Sequence, residues 1–525
     1  MTTTESTVEA QGGGRPTPPK DWLAGLKENA ATDVVSGLII FLIALPLCLG
    51  IALASGAPAI AGVISGIIAG TLANLLSGSY VTINGPAAGM IVIVLGAVTE
   101  LGFQGALAVG VVAGLIQIGL GLARTGKLTG FFPLSVVHGM LAGIGLIIMS
   151  GQIHIVVGHE NPRAHGFHIF TEIPHSIFEP VMETALVGIA AILVMVIWPN
   201  IPKVSRVIPA PLAAVVIGTV IATMNGAGPR LSLEGGLLDG FTSPDFSILP
   251  TAPAIKWIAL YVFVASLESL LTAEAVDKLD PWKRRSNMNK ELIGKGIGNT
   301  ASSLIGGLPM IAEVVRSKAN IMAGARTRWS NFFHGTFLFV FVLAVPGVLE
   351  QIPLAALAGI LMVVGFKLAH PADFKHAWDI GKIDFLLMVV TAFTVLLTDL
   401  LIGVATGIVL GLLHAAFRGT SLGNLFKPRI MVEDAGQEFR VKFRGALGFH
   451  NFIPLRSVLD DMPRGRTVTL DFSEVHYVDS TVLERLHDFA IDYSYDGGSV
   501  VHVGEEALRP GSHQFSLRTA PKVSV

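Results

Sequence analysis

Two pairs of residues in this sequence stand where charge is costly. Glu268 lies within the apolar run from Tyr261 to Leu271, and Thr272 follows one turn later on the same helical face. A charge at the centre of a bilayer costs roughly 2.5–3.5 kcal/mol even on lenient scales, so a carboxylate there is expected to face a cavity. Beside a hydroxyl it can hold a proton or help coordinate a cation. The alternative is a protonated glutamate hydrogen-bonded to a neighbouring helix. The second pair is Glu313 and Arg316, three residues apart and on one helical face. Glu313 either neutralises Arg316, as a structural ion pair also would, or titrates and carries a proton. Glu274 and Asp277, further along the run of Glu268, are expected to meet solvent or basic loops. His138 reads as a packing histidine. His154, His159, His165, His168 and His175 crowd one loop without the tight spacing of a metal site, and no metal is expected.

The elements that position these residues follow from composition. The 525 residues are 51% hydrophobic and 14% charged, against about a quarter charged in soluble domains, so lipid solvates most of the chain. The mean hydropathy is +0.65. Fifty-nine glycines suit close helix packing in a membrane, and a net charge of −2 gives no reason to expect nucleic acid. The single cysteine, Cys48, lies in an apolar run, so no disulfide framework exists. Residues 1–30 lack an apolar core before Asp33; they read as a flexible cytoplasmic tail, not a cleavable signal, ending in a short amphipathic piece from Trp22 to Leu26.

Apolar runs of spanning length begin near Val34, Ala59, Gly105, Pro133, Thr184 and Pro211, and again near Ile255, Leu292, Phe332, Ile352, Ile383 and Leu401. Two shorter segments follow Gly85 and Pro309, making about fourteen, seven on each side of the loop from Asn225 to Pro253. With the N-terminus inside, alternate loops carry Arg124 and Lys127, Lys203 and Arg206, Lys278 to Lys290, Arg326 and Arg328, then Lys367, Lys375 and Lys382. The opposite loops are mainly acidic, with Arg163 and Arg230 as exceptions, and the asymmetry orients the chain.

Seven segments is an odd number, so the second set lies inverted relative to the first. The third and tenth segments are the broken ones. Ile83-Asn84-Gly85-Pro86-Ala87-Ala88-Gly89 and Gly306-Gly307-Leu308-Pro309 each join an extended stretch to a half-length helix. Non-helical backbone at membrane depth is tolerated inside protein or beside a water-filled cavity. A matched pair in inverted halves points to a ligand site near the midplane, where two helix N-termini offer N–H groups to an anion. A single such break would be read as a packing kink.

These motifs, with Asp33 to Gly37 and Ala44-Leu45-Pro46 in the first span, Arg316, Asn320 and Gly324 to Thr327 after the tenth break, and Asp471 to Val475 with Val478 to Thr481 in the tail, carry a family resemblance. Along nearly its whole length the chain resembles the SulP anion transporters, bacterial relatives of solute-carrier family 26, with a C-terminal STAS domain. The resemblance implies an all-α polytopic membrane domain with a seven-plus-seven inverted repeat, two segments being half-helices, plus a small α/β STAS domain. It implies core and gate domains, an elevator-like movement and a homodimer. By position it implies an anion site at Pro46, Leu47 and Cys48, at Ala87 and Ala88, and at Met310, Ile311, Ala312, Glu313 and Val314, with Arg316 just behind. It further implies that Glu268 and Thr272 bind a coupling cation. Leu47, Met310, Ile311 and Glu313 depart from the family pattern, so the anion is left open among bicarbonate, sulfate and a small dicarboxylate.

The tail alternates as strands at Phe439 to Phe443, Thr467 to Phe472 and Gly498 to Val503, with helices at Phe452 to Asp460 and Ser480 to Tyr493. Ser480 is expected to cap its helix; the matching serine of single-domain relatives is phosphorylated, so Ser480 is also a regulatory candidate. No catalytic constellation is present, and the tail is expected to regulate the transporter, assemble it or bind a cytoplasmic partner. The resulting expectation is a membrane domain at 31–417 and a STAS domain at 418–525, in a multi-pass protein of the cell inner membrane with both the N-terminus and the STAS domain cytoplasmic. It would be a secondary active anion transporter coupled to H⁺ or Na⁺, needing no other cofactor, and not an enzyme. The rivals are an uncoupled anion channel or exchanger, a same-fold nucleobase transporter and a non-transporting sensor.

Overall fold

The computed structural model describes residues 17–127, 133–162, 170–205, 207–233, 240–417, 429–434, 436, 438–495, 497–505, 508 and 515–519. Arg163, His165, His168 and Arg206 lie outside the described residues.

The first helix, α1 (Trp22–Ala54), is longer than expected. It takes in residues 22–30, read above as flexible tail and a separate amphipathic piece. Asp21 caps it by accepting from the Trp22 N–H, and the Asp21 carboxylate also receives Nη2 of Arg328 at 2.8 Å. These anchors on the chain around Arg328 give the polar first turns the partners that a free tail would lack.

The membrane segments then run α2 (Ala59–Ile68), continued by a π-turn at Ala69–Ala73, and β1 (Ile83–Gly85). A 3₁₀ turn at Ala88–Met90 leads into α3 (Ile91–Leu122), which holds two segments because Gly102 breaks it with φ 73° and ψ 167°. Next come α4 (Leu134–Val156), α5 (Met182–Ile197) and α6 (Ala210–Asn225). The second half comprises α7 (Ala252–Leu279), α8 (Met288–Leu304), β2 (Ile311–Glu313) with α9 (Val314–Met322), α10 (Trp329–Ala344) and α11 (Leu354–Leu368). The surface helix α12 (Pro371–Ile380) precedes α13 (Lys382–Leu397) and α14 (Leu400–Phe417). Among the described residues, eight helical stretches are long and apolar enough to cross a bilayer. The seven-plus-seven arrangement is the observed one, with β1 in the third segment and β2 in the tenth.

Packing divides the segments into two bundles. Helices α1, α2, α3, α7, α8 and α10 pack mainly on one another, and α4, α5, α6, α11, α13 and α14 form the other group. Small residues set the spacing, as expected where packing rather than apolar burial drives association. A Cβ on Gly70 would fall 2.7 Å from Cα of Gly335, so α10 crosses the π-turn of the second segment backbone to backbone.

Among the described residues, the C-terminal domain is a five-stranded sheet, β3 (Arg429–Asp434), β4 (Glu438–Leu447), β5 (Thr467–Val478) and β6 (Ser499–Val503) in that order, with β7 (Arg518–Thr519) paired to the end of β5. Between them lie α15 (Phe452–Asp460) and α16 (Ser480–Tyr495). Parallel neighbours flank β5 on both edges, which explains its nearly continuous buried run from Val468 to Phe472. Phe443, Leu470, Phe472 and Leu486 form its core.

Candidate functional site

The two broken segments cross as a small antiparallel sheet, with Ile83 opposite Glu313, Asn84 opposite Ala312 and Gly85 opposite Ile311. Ladder pairing answers part of the backbone that breaking two helices frees. Side chains answer more. The N–H of Ile83 donates to Oγ of Ser317 at 2.8 Å, and the N–H of Ala312 to Oγ of Ser269 at 3.3 Å. Asn320 and Asn331 donate to the carbonyls of Val81 and Thr82 at 2.9 and 3.1 Å. The half-helices leave this crossing without side-chain caps at Ala87 and Glu313, so no cap side chain takes up their first N–H groups.

Beside the crossing opens a cavity of roughly 1680 Å³ that separates the two bundles and extends to the C-terminal domain. Leu47, Ala87, Ala88, Ile311, Ala312, Glu313 and Val314 line it, together with Glu268 and Thr272 of α7. His138 of α4, expected to be packed away, also lines it. The remaining candidates stand one layer back. Pro46, Cys48, Met310 and Arg316 are not in the cavity wall, because each faces the protein across its backbone. Met310 is fully buried against Ala69 and Ala73, and its N–H donates to Oδ1 of Asn299 at 2.6 Å.

Glycines explain how the charged groups reach the backbone. A Cβ on Gly89 would fall 2.1 Å from Oε1 of Glu268, so that carboxylate rests on the opening turn of the third segment's half-helix. Its Oε1 is shielded from solvent and has no hydrogen-bond partner among the described residues. A Cβ on Gly85 would fall 2.7 Å from Nη1 of Arg316. The Arg316 side chain is 0% exposed; its Nε donates to Oε2 of Glu313 at 3.2 Å, Nη2 to the Pro86 carbonyl, and Nη1 points to Sγ of Cys48 at 3.9 Å. Gly85 and Gly89 thus each admit one charged side chain, and the motif between them is shaped by that need.

Three buried polar side chains were not singled out in the sequence. Glu291 and Lys295 pair at 2.5 Å, both fully buried, and the Glu291 carboxylate also receives the N–H groups of Gly78 and Ser79. Their four-residue spacing inside a span was the available signal. Asn84 is 0% exposed, and neither its Nδ2 nor its Oδ1 has a partner among the described residues.

The cavity's far end meets the C-terminal domain through charged contacts. Glu274 pairs with Arg456 of α15 and lies 3.6 Å from Arg485 of α16, while Lys278 pairs with Asp488. Glu274 is therefore a docking residue rather than a solvated one, and Asp277 accepts from the N–H of Ser286 at 2.7 Å. Ser480 is not the helix cap. Asp479 holds that place, accepting from the Val482 N–H at 2.8 Å, and a carboxylate one residue earlier displaces the serine. Freed from capping, the Ser480 hydroxyl donates to Oδ1 of Asp384 in α13 at 2.5 Å, where Ser135 of α4 donates at 2.8 Å. Burial pushes the Asp479 carboxyl up to about 7.

A multi-pass membrane domain of two inverted halves, with two broken segments crossing beside a cavity, is a transporter architecture that forms a ligand site near the midplane. The chain belongs to the sulfate permease family, whose model matches residues 31–391. It is 29% identical over 492 residues to a putative sulfate transporter of Bacillus subtilis, covering 90% of this chain and 91% of that one. It is 31% identical over 396 residues to the bicarbonate transporter BicA of a Picosynechococcus species, covering 72% and 69%. The solved transmembrane domain of a cyanobacterial BicA superposes with a TM-score of 0.64 at 27% identity, over 73% of this chain and 97% of that one. Murine Slc26a9, an anion transporter solved in its inward-facing state, shares the fold at a TM-score of 0.67 and 17% identity, covering 90% and 84%. These relatives are transporters and not enzymes.

Proposed function

We propose that the chain is a secondary active transporter of small oxyanions, moved together with H⁺ or Na⁺. The observation that carries the reading is the Glu268 carboxylate, unpartnered at Oε1 and set against the uncapped half-helix at Gly89, in the wall of the cavity where the two broken segments cross. The half-helix N-termini favour an anion. The carboxylate, with Thr272 one turn away, favours a cation or proton beside it. Each ligand then lowers the electrostatic cost of the other, which is the physical basis of coupling.

The anion candidates are hydrogencarbonate, sulfate and a small dicarboxylate; similarity to a bicarbonate transporter and to a putative sulfate transporter supports the first two. The division into two bundles with the site between them supports an elevator-like exchange of access. The cavity's continuity with the C-terminal domain, and the basic loops on that side, support an inward-open state with that domain and the N-terminus in the cytoplasm of a cell whose inner membrane holds a homodimer.

The test is uptake of labelled hydrogencarbonate, sulfate and fumarate into proteoliposomes under separately imposed Na⁺ and pH gradients. Accumulation of one anion above its equilibrium level on one gradient is expected. Flux that never exceeds equilibration on either gradient would make the protein an uncoupled anion channel or exchanger.

A further inference from the structure

An anion entering this cavity does not meet Arg316. All three guanidinium nitrogens are turned to protein acceptors, in Glu313, Pro86 and Cys48, and the side chain is fully enclosed. The basic residues that do line the cavity belong to helix ends, loops or the C-terminal domain, among them Lys127, Lys278, Arg285 and Arg456. At the inner end the charged side chains in the wall are carboxylates. Glu313, 16% exposed, projects from the start of α9, and Glu268 faces the same space from α7. The other groups packed around them are Thr272 on α7, Cys48 on α1 and His334 on α10, the last buried near Arg316.

This inner end is therefore two-sided. Uncapped N–H groups at the half-helix starts can donate to an oxyanion, while the Glu313 and Glu268 oxygens can only accept unless protonated. A bare oxyanion also offers acceptors only, so it repels the carboxylate and supplies no donor to the carboxylate oxygens that face the cavity. An oxyanion that retains its own O–H satisfies both sides, since its charged oxygens accept from the backbone and its hydroxyl donates to the carboxylate.

We propose that Glu313 is a specificity-determining residue, selecting oxyanions that carry a hydroxyl hydrogen, such as hydrogencarbonate or a half-protonated dicarboxylate, over oxyanions with acceptors alone. The inference rests on the anion-transport reading above and narrows it to a substrate class. Arg316 serves as a positioning residue that holds the Glu313 carboxylate toward the cavity.

Nitrate isolates the hydroxyl, because it matches hydrogencarbonate in planarity, charge and approximate size and lacks the O–H. The experiment is uptake of labelled hydrogencarbonate into proteoliposomes at about pH 8, competed with unlabelled hydrogencarbonate or nitrate as sodium salts. In the unmodified protein nitrate should compete at least about tenfold more weakly, since a site built to pair a hydroxyl strongly rejects an analogue without one. In Glu313→Gln, whose amide supplies N–H donors in the same shape, the gap should close to within about threefold. Equal competition by nitrate in the unmodified protein overturns the proposal while leaving anion transport standing, and so does transport of sulfate with no uptake of hydrogencarbonate. Flux of no oxyanion at all would remove the transport reading and this proposal with it. A gap that stays at about tenfold in folded Glu313→Gln also overturns the assignment to Glu313, and Glu313→Ser, which supplies a hydroxyl donor without the carboxylate, repeats the comparison if the glutamine variant fails to fold.

Discussion

At the residue scale, the site is organised by two glycines rather than by its charged residues alone. Gly89 lets the Glu268 carboxylate lie on a half-helix start, and Gly85 does the same for Arg316. Gly89→Ala would put a methyl group where the carboxylate lies, so cation-driven uptake should fall at least about tenfold, worth 1.4 kcal/mol or more in the transport barrier. Normal yield of folded protein, read by size-exclusion elution, would accompany it; unchanged cation dependence in Gly89→Ala would remove the contact from the mechanism. Glu268 and Glu313 were legible in the sequence because an ionisable residue in an apolar run is conspicuous, and Thr272 because it follows Glu268 by one helical turn. Arg316 stands one layer back as expected, whereas Pro46, Cys48 and Met310, expected in the site itself, stand back with it. Which face of α1 and of the stretch before β2 meets the cavity depends on how the two broken segments pair, and that pairing joins residues more than two hundred positions apart.

At the element scale, the contacts under the membrane domain tie the C-terminal domain to both helix bundles. Glu274 and Lys278 on α7 belong to one bundle, and Ser135 and Asp384 on α4 and α13 to the other. The Ser480 hydroxyl is 2.5 Å from a carboxylate and buried, so a negative charge there meets Asp384 directly. Ser480→Asp should therefore loosen the domain, seen as faster amide exchange in α16, whereas Ser480→Ala should cost only about 1 kcal/mol. A phosphorylating enzyme would reach Ser480 only after undocking. Charge reversal at Glu274→Arg should be similarly disruptive and partly rescued by Arg456→Glu; absence of rescue would show that the pair contributes little. None of this docking was visible in the sequence, where carboxylates at a span end look like those of any solvated loop. Three strands, β4 to β6, and both helices of the domain were visible, since alternation and helical periodicity are local properties, whereas the edge strand β3 and the two-residue β7 were not expected.

At the scale of the whole molecule, segment count and inversion were readable because membrane spans announce themselves by length and hydropathy, and Gly-Pro breaks are local as well. The C-terminal domain adds a pH response. Burial holds His450 down to about 4, from an ordinary 6.5, and raises Asp479 to about 7, from 3.8. The buried neutral histidine favours unfolding as pH falls from 6.5 toward 4, because the unfolded chain binds the extra proton. The raised aspartate acts oppositely: its contribution is complete below its unfolded value and lost as pH rises through about 7. Over roughly pH 4 to 6.5 the two slopes offset, so these groups should leave stability nearly flat there. Asp479→Asn should expose a melting temperature that rises with pH, and His450→Phe one that falls; parallel profiles in both variants would contradict these assignments.

The central claim is that Glu268 couples anion movement to a cation. The direct measurement is labelled-anion uptake by Glu268→Gln in proteoliposomes, once with the anion gradient alone and once with only the driving cation gradient imposed. Downhill anion movement should survive while cation-driven accumulation above equilibrium disappears. Accumulation in the variant equal to that of the unmodified protein would contradict it.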